Sequence, residues 1–580
     1  MRCRVPRFSA FLFIGAALSG QGQISIKTPP GPQADLKVVK PVMDCAQLTS
    51  LRGVPISSLA GVPMRVVSAQ VVKDGPAPYC EVKGYVSPQV NFELHLPTEN
   101  WTQRFVQVGC GGLCGNLRGV RVANADGCIP AQNGELALAA TDTGHTGSDG
   151  TWAANDPQLR ADFGYRGEHV TTLAAKALIR RYYGQKQAYA YFVGCSEGGR
   201  EAAMESQRYP EDFNGIVAGA AALNFLTQNT FYHAWNATHN SDDSGHAILT
   251  PDKLPILHAA VLAACDELDG LKDGIIGDPR DCHFDPATVQ CRPGQDAATC
   301  LTPQQVSVVK SIYGGARDSK GQRLVISGPM PGSELSWNQI VPANLDMTTA
   351  GGASLAAAVF ENMAFPKNPP LTSKLSDFHF DEATFRAIEP MREIYDAADP
   401  NLSGLQKSGG KLIMWHGWAD SAIPPLNTVA YFDSVNAFMG KDKVDQFARL
   451  YMFPAGYHCN GGETSIAVDM LSQIIAWVEK GMAPNRIVGR FNKGGGGGRG
   501  GANAAPPQVY RTRPVFPYPQ ITVYKGTGSI DDEANFTSAA PKTAPEKITW
   551  LGNTSTLTGY ERWCGWDGLN FSCTKDGSKQ

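Results

Sequence analysis

The 580-residue sequence is poor in charge and has no dominant charge of either sign. Charged residues make up 18% of the chain, and 51 Lys and Arg against 54 Asp and Glu leave a formal net charge of −3. This near balance provides no electrostatic attraction to nucleic acid or to an anionic membrane surface. We therefore expect neither of these partners.

Long apolar runs are also scarce. After residue 20, no stretch reaches about 18 consecutive apolar residues, the minimum for a membrane-spanning helix. The apolar run Phe8–Gly20 is shorter than that and follows Arg2, Arg4 and Arg7. A short apolar run behind positive residues is typical of a secretory signal peptide. The sequence predicts a signal peptide over residues 1–22 and a secreted or periplasmic protein that does not stay in the membrane.

The sequence has no Cys-x-x-Cys pair and no cluster of His with Cys, which argues against a zinc site. Its 14 cysteines are expected to form disulfides in an exported protein. Spacing favours four pairs: Cys45–Cys80, Cys265–Cys282, Cys291–Cys300 and Cys564–Cys573. Cys110, Cys114 and Cys128 share one neighbourhood, so one of these three thiols is left without a predicted partner.

Predicted strands and helices alternate along the first part of the chain, which shows no internal repeat. The apolar runs Leu136–Gly144 and Ala188–Gly194 are typical of buried strands. His169–Tyr183 has helical spacing and is closed by Gly184, and Gly199–Arg208 is predicted to be a second helix. Such alternation indicates parallel βαβ units.

The alternation stops near residue 223 and resumes near residue 399. Strands are then predicted at Lys411–Trp415 and Leu450–Pro454, with an amphipathic helix over Ser465–Lys480. The intervening segment is rich in polar loops and proline, and we interpret it as an insertion into a doubly wound, mostly parallel α/β sheet. A flexible glycine-rich segment is expected over 493–507. The predicted units are 1–22 (signal peptide), 23–222 (core, first part), 223–398 (insertion) and 399–580 (core, second part, with a C-terminal tail).

The segment Gly194-Cys-Ser196-Glu-Gly198 matches the G-x-S-x-G pattern of a nucleophile elbow. An apolar strand precedes it and a helix follows. Small residues on both flanks allow the sharp turn that exposes the Ser196 hydroxyl at a helix N-terminus. The alternative is a glycine-rich turn with Ser196 as a helix N-cap. The strand–turn–helix context favours the nucleophile.

A serine nucleophile needs a base and a carboxylate, which follow it in α/β-hydrolases in the order Ser, acid, His. Asp420 follows the predicted strand at 411–415, and His458 follows the next predicted strand. Both positions fit the required order, although either residue could be an ordinary solvated loop residue. Asp433 is a second candidate acid. His416 is a weaker candidate base because it precedes the acid.

Cys195 is adjacent to the predicted nucleophile, and Cys459 is adjacent to the predicted base. If Ser196 and His458 meet, the two sulfurs are close enough to bond. A disulfide there would hold the nucleophile and the base together, where small displacements slow the reaction. The alternative is a pair of buried thiols.

An oxyanion hole requires two N–H donors. One is predicted from Glu197, the residue after the nucleophile, and the other from Gly111 or Gly112 in a glycine-rich loop after an early strand. The alternative for the glycine-rich loop is a plain turn.

Asp266, Asp269 and Asp273 lie close together, and a glycine follows each of the last two. Three carboxylates with backbone carbonyls can form the hard-oxygen site that Ca²⁺ prefers, although the spacing is not that of an EF-hand. On spacing alone, successive Asp-Gly turns explain the segment equally well.

Together these motifs resemble the tannase and feruloyl esterase family, which includes bacterial mono(2-hydroxyethyl) terephthalate hydrolases. The similar segments are GCSEGGRE (194–201), CDELDGLKDGIIGDPRDC (265–282), HGWAD (416–420), GYHC (456–459) and RTRP…PYPQ…YKGTGSIDD (511–532). The resemblance implies an α/β-hydrolase fold with 223–398 as a lid, a Ser196–Asp420–His458 triad and a Cys195–Cys459 disulfide. It also implies a structural calcium ion bound by the side chains of Asp266, Asp269 and Asp273 and the carbonyls of Leu271 and Ile275. No organic cofactor is implied.

The function implied by the resemblance is a secreted serine esterase for small aromatic carboxylic esters. Feruloyl or other hydroxycinnamoyl esters rank first, galloyl esters second and terephthalate monoesters third. A rival from another class is a catalytically silent hydrolase fold used for binding. The chain departs from the family at Phe516 and Thr537, where cysteines are expected, so the resemblance does not settle how the C-terminal part packs.

Overall fold

A computed structural model describes most of the chain after residue 31. The described residues are 32–50, 64–117, 120–459, 462, 466–493, 508–542, 548–553, 558–559, 561–566 and 571–575. The predicted signal peptide lies outside them, as does 494–507 of the predicted glycine-rich segment. Within these ranges, no helix has both the length and the apolar character needed to cross a membrane.

Nine strands form the main sheet of the described chain. They are β1 (Met64–Val72), β2 (Tyr79–Val86), β3 (Val90–Pro97), β4 (Arg104–Val108), β5 (Leu136–Thr141), β6 (Tyr189–Cys195), β7 (Gly215–Gly219), β8 (Lys411–Gly417) and β9 (Ala448–Phe453). Their order is β1-β2-β3-β5-β4-β6-β7-β8-β9. Pairings from β1 to β5 are antiparallel, and those from β5 through β4 to β9 are parallel. The predicted mostly parallel α/β sheet is confirmed.

The helices of the described chain flank this sheet or lie in the segment between β7 and β8. They are α1 (Ile129–Gln132), α2 (Pro157–Ala161), α3 (Gly167–Tyr183), α4 (Glu197–Arg208), α5 (Phe225–Thr227), α6 (His233–His239), α7 (Leu254–Cys265), α8 (Pro303–Gly314), α9 (Gly351–Asn362), α10 (Glu382–Tyr395), α11 (Ser403–Ser408), α12 (Leu426–Met439), α13 (Lys441–Val444) and α14 (Met470–Lys480). All of 223–398 is described, and it contains α5 to α10 and no strand of the sheet.

Both faces of the central strands are buried, as expected for parallel strands. Phe192 and Ile216 belong to the core cluster that includes α3, α4 and α12 residues. Val193 and Val217, the next residues along β6 and β7, belong to the cluster that includes α14. Successive side chains of a strand point to opposite faces, so helices cover the sheet on both sides.

The C-terminal part adds three small sheets. Their strands are β10 (Ile466–Ala467), β11 (Ile487–Lys493) and β12 (Gln508–Val515), then β13 (Ile521–Tyr524) and β14 (Phe536–Ala539), and finally β15 (Trp563–Trp566) and β16 (Phe571–Thr574). The helix predicted to start at Ser465 begins at Met470, so that start was wrong. The Asp469 side chain accepts a hydrogen bond from the Ser472 N–H at 3.0 Å and caps the helix, while Ile466 pairs with β11.

Six disulfides are present among the described residues. Four are the pairs favoured by spacing, and the other two are Cys110–Cys114 and Cys195–Cys459. Cys128 is buried outside any disulfide. The Cys564–Cys573 bond joins β15 to β16, and the Cys564 N–H donates to the Tyr165 hydroxyl at 2.6 Å. The C-terminal tail therefore packs against the core although Phe516 and Thr537 stand where a cysteine pair was expected.

Candidate active site

Ser196 lies at the sharp turn between β6 and α4. Its φ of 67° is a left-handed conformation that non-glycine residues rarely adopt. The turn also requires glycine on both sides. A Cβ on Gly194 would lie 2.0 Å from the Gly198 carbonyl oxygen, and one on Gly198 would lie 2.8 Å from the Cys110 carbonyl oxygen. Any larger residue at 194 or 198 would push the turn apart.

The structure brings Ser196, His458 and Asp420 into one hydrogen-bonded chain. His458 Nε2 lies 2.8 Å from Ser196 Oγ, and His458 Nδ1 lies 2.7 Å from Asp420 Oδ2. The three residues come from the ends of β6, β8 and β9, which lie at one edge of the parallel sheet. This geometry allows His458 to take a proton from Ser196 while Asp420 fixes the imidazole.

Asp420 is fully buried but well supplied with donors. Its Oδ1 accepts the N–H groups of Ala422 at 2.8 Å and Ile423 at 3.0 Å. Burial opposes the carboxylate, yet the two neighbouring imidazoles, His458 above all, hold the pKa of Asp420 well below its ordinary value. Burial likewise opposes a charged His458, but the Asp420 carboxylate outweighs it and raises the pKa of His458. Asp420 therefore stays ionised and supports an imidazolium.

His416 contacts Asp420 rather than Ser196. Its Nε2 lies 3.1 Å from Asp420 Oδ2 and 3.0 Å from the Ile423 carbonyl oxygen, while its Nδ1 lies 2.8 Å from Thr428 Oγ1. The structure places the other candidate, Asp433, against the Tyr518 hydroxyl at 3.3 Å. His416 therefore holds the acid in place. Its spacing of four residues from Asp420 indicates such a contact only once the conformation of the loop is known.

Of the predicted oxyanion donors, Glu197 directly follows the nucleophile. In the described part of the chain, the Glu197 N–H at the start of α4 donates no hydrogen bond. The loop of Gly111 and Gly112 is joined to the same turn, because the Gly198 N–H donates to the Cys110 carbonyl at 2.9 Å. The Glu197 side chain points away into the core, where it accepts from Arg200 Nε at 2.7 Å. The backbone at 197 is thus fixed by a buried ion pair.

The disulfide between Cys195 and Cys459 joins the nucleophile turn to the histidine loop. The two Cα atoms are 5.7 Å apart although 264 positions separate them in sequence. Cys459 has a φ of 61°, a second left-handed residue beside the site. The bond therefore links the two residues that flank the Ser196–His458 contact.

The inserted segment binds the loop that carries Asp420. The Tyr232 hydroxyl donates to the Ser421 carbonyl at 2.6 Å, and the Ser336 hydroxyl donates to the Ala419 carbonyl at 2.8 Å. His233, at the start of α6 in the same segment, is also close to the site. Burial, with a contribution from the nearby His458, lowers the pKa of His233 to about 4. No local sequence pattern distinguishes these residues, because their contacts span up to 189 positions.

The acidic segment after α7 folds into a tight loop. Asp266 accepts the backbone N–H groups of Gly274 and Ile275 at 3.1 and 3.2 Å. Four of the predicted ligand residues line one small cavity of about 20 Å³, namely Asp269, Leu271, Asp273 and Ile275. A Cβ on Gly277 would lie 2.6 Å from Asp269 Oδ2, so glycine there leaves room for the carboxylate. Arg513 Nη2 lies 2.5 Å from Asp273 Oδ2. The carboxylate and carbonyl oxygens of this loop are the ligand type that Ca²⁺ prefers, although both oxygens of Asp266 accept the Gly274 N–H.

Comparisons with known proteins agree with one another. A family model described as tannase and feruloyl esterase matches residues 69–539. An uncharacterized esterase from Xanthomonas campestris is 32% identical over 541 residues, covering 85% of this chain and 90% of the relative. A mono(2-hydroxyethyl) terephthalate hydrolase from Piscinibacter sakaiensis is 34% identical over 532 residues, covering 80% and 85%. The crystal structure of feruloyl esterase B from Aspergillus oryzae matches with a TM-score of 0.72 at 25% identity, covering 85% of this chain and 99% of that chain.

Proposed function

This chain belongs to the tannase and feruloyl esterase family, and from that premise we propose that it hydrolyses small aromatic carboxylic esters through an acyl-enzyme on Ser196. The family resemblance seen in the motifs is confirmed, and with it the class of carboxylic ester hydrolase. The observation that supports the serine mechanism is the hydrogen-bonded chain from Ser196 through His458 to Asp420. An intact series of hydrogen bonds among these three residues argues against a catalytically silent binding protein.

The proposed reaction follows from the positions of these groups. Ser196 Oγ attacks the ester carbonyl while His458 Nε2 takes its proton, and Asp420 stabilises the imidazolium. The N–H groups of Glu197 and of Gly111 or Gly112 bind the developing oxyanion. His458 returns the proton to the leaving alcohol. Water then attacks the acyl-enzyme with His458 again as base, which releases the aromatic acid and restores Ser196.

We rank feruloyl and other hydroxycinnamoyl esters first as substrates, galloyl esters second and terephthalate monoesters third. Support comes from the relatives: one structural neighbour is a feruloyl esterase, and a mono(2-hydroxyethyl) terephthalate hydrolase is 34% identical. In this proposal 223–398 acts as a lid and selects among the acids, since it already contacts the Asp420 loop.

A substrate panel tests the proposal. Purified enzyme and a Ser196→Ala variant are assayed with methyl ferulate, methyl gallate and mono(2-hydroxyethyl) terephthalate. We expect turnover of at least one ester by the wild type, the highest kcat/KM for methyl ferulate, and a loss of at least about 10³-fold in the variant. A different order of kcat/KM among the three esters would correct the ranking of substrates. Retention of more than about a tenth of the activity by Ser196→Ala would refute the serine mechanism.

We further propose that the loop 266–275 binds a structural calcium ion, held by Asp266, Asp269 and Asp273 and by the carbonyls of Leu271 and Ile275. The ion would neutralise the carboxylates and stabilise the folded segment by mass action. It would take no part in the ester chemistry.

We also propose that the protein is secreted or periplasmic and works free of membranes and nucleic acid. The support is the N-terminal pattern of arginines before an apolar run, together with the six disulfides of the described chain.

A further inference from the structure

The loop that supplies the second proposed oxyanion donor, residues 109–114, is not fixed by packing at its tip. A Cβ on Gly111 or Gly112 would meet no atom within 4 Å, and Gly112 has a φ of 65°. Two adjacent glycines in open space have wide conformational freedom. An oxyanion donor must nevertheless keep its position to be effective. Something other than packing at 111 and 112 must hold the donor in place.

A disulfide encloses this tip. Cys110 and Cys114 are bonded across four positions, so Gly111 and Gly112 lie inside a small covalent ring. The backbone of Cys110 is fixed at both of its polar groups. Its N–H donates to Glu201 Oε2 at 2.9 Å, and its carbonyl accepts the Gly198 N–H at 2.9 Å. Both partners belong to α4, the helix that begins after Ser196.

Glu201 contacts the ring as well as the backbone. The side chain is buried, and its Oε1 lies 2.9 Å from Cys110 Sγ and 3.3 Å from Cys114 Sγ. A Cβ on Gly109 would lie 2.6 Å from Glu201 Oε2, so the carboxyl group fills the space beneath the loop. Burial, reinforced by the charge of Glu197, raises the pKa of Glu201 to about 8. Glutamine is therefore a close replacement for this side chain near neutral pH.

We propose that Glu201 and the Cys110–Cys114 disulfide form a clamp that positions the loop's oxyanion donor relative to Ser196. Both are positioning elements, since neither contacts the reacting atoms. The inference rests on the proposed ester hydrolysis and adds to it a determinant of transition-state stabilisation that none of the motifs reveals. Losing the clamp should weaken binding of the tetrahedral intermediate and leave binding of the ester ground state unchanged.

The test compares two variants that disrupt the clamp with one conservative variant that preserves it. The double variant Cys110→Ser/Cys114→Ser removes the ring, Glu201→Met removes the acceptor for the Cys110 N–H, and Glu201→Gln keeps an acceptor. We measure kcat, KM, the melting temperature, and the affinities for phenylboronic acid and for the product acid. A boronic acid forms a tetrahedral adduct with a serine nucleophile, whereas the product acid reports ground-state binding.

We expect the ring variant and Glu201→Met to lose about 10- to 100-fold in kcat and a similar factor in boronate affinity. KM and product affinity should stay within about twofold. Glu201→Gln should remain near wild type. The matched control is Cys291→Ser/Cys300→Ser, which removes another short ring and should leave kcat unchanged.

The clamp is refuted if the ring variant and Glu201→Met keep wild-type kcat and boronate affinity, or if Glu201→Gln loses as much as Glu201→Met. Should the ring variant fail to fold, the two Glu201 variants decide the matter with the disulfide intact. Ser196→Ala separates the two proposals. If it is inactive while the clamp variants are fully active, only the clamp is wrong, and if it is active, the proposed serine mechanism itself is wrong.

Discussion

Removing the Cys195–Cys459 bond should reduce both stability and catalysis, in separable ways. The bond closes a loop of 264 positions. The chain-entropy model gives a stabilisation of about 5.6 kcal/mol for a loop of this size. This value is an upper guide, because Cys265–Cys282 and Cys291–Cys300 already constrain the same span. A measured loss of about 2–4 kcal/mol in the free energy of unfolding is therefore expected for the double replacement by alanine.

The catalytic consequence follows from where the bond lies. It joins the neighbours of Ser196 and His458, which are 2.8 Å apart, and a displacement of about 1 Å at such a contact can lower the rate about 10²-fold. Because the residues of 223–398 keep their contacts, kcat should fall more than KM changes. Urea unfolding measures the loss of stability. Steady-state kinetics of the folded variant measure the changes in kcat and KM.

A matched control is the replacement of Cys291 and Cys300, whose bond spans nine positions in the inserted segment. It should lower stability by about 2–3 kcal/mol on the same model and leave kcat near wild type. The reasoning is refuted if the Cys195/Cys459 variant keeps wild-type kcat, or if the control loses as much kcat as the test variant.

Two further predictions concern pH and metal. In the proposed mechanism the neutral imidazole of His458 is the base, and the Asp420 carboxylate raises its pKa. We therefore expect kcat/KM to fall as the pH drops through a midpoint above 6.5. A pH–rate profile with the acidic midpoint at or below 6.5 would contradict this. Removal of calcium by a strong chelator should lower the melting temperature and the activity together, and added Ca²⁺ should restore both. Differential scanning calorimetry measures the melting temperature. If this temperature is unchanged after confirmed metal loss, the result counts against the site in loop 266–275.

Local sequence patterns predicted the parts of the site that depend on local structure. The turn at Ser196 needs small residues between a strand and a helix. The strand, the turn and the helix follow one another directly in sequence. Asp420 and His458 could be located because parallel strands end at one edge of the sheet, where the loops after them converge. The order of nucleophile, acid and base along the chain then left few candidates for each role.

What the sequence left open depends on long-range packing. The pairing among Cys110, Cys114 and Cys128 could not be chosen, since it depends on how the loop 109–114 sits over α4. The start of α14 was misplaced because Ile466 suits a helix pattern as well as the short pairing with β11 that it makes. The role of His416 was missed because its spacing to Asp420 suggests a contact only once the loop conformation is known.

The account depends most on Ser196 as the nucleophile, and covalent labelling tests this directly. The active enzyme is treated with a fluorophosphonate, digested without reduction and analysed by peptide mass spectrometry. The account predicts one adduct per chain, located on the peptide that contains Ser196, with activity lost in proportion to labelling and no adduct in Ser196→Ala. Stoichiometric labelling at another residue, or full activity after Ser196 is labelled, would contradict it.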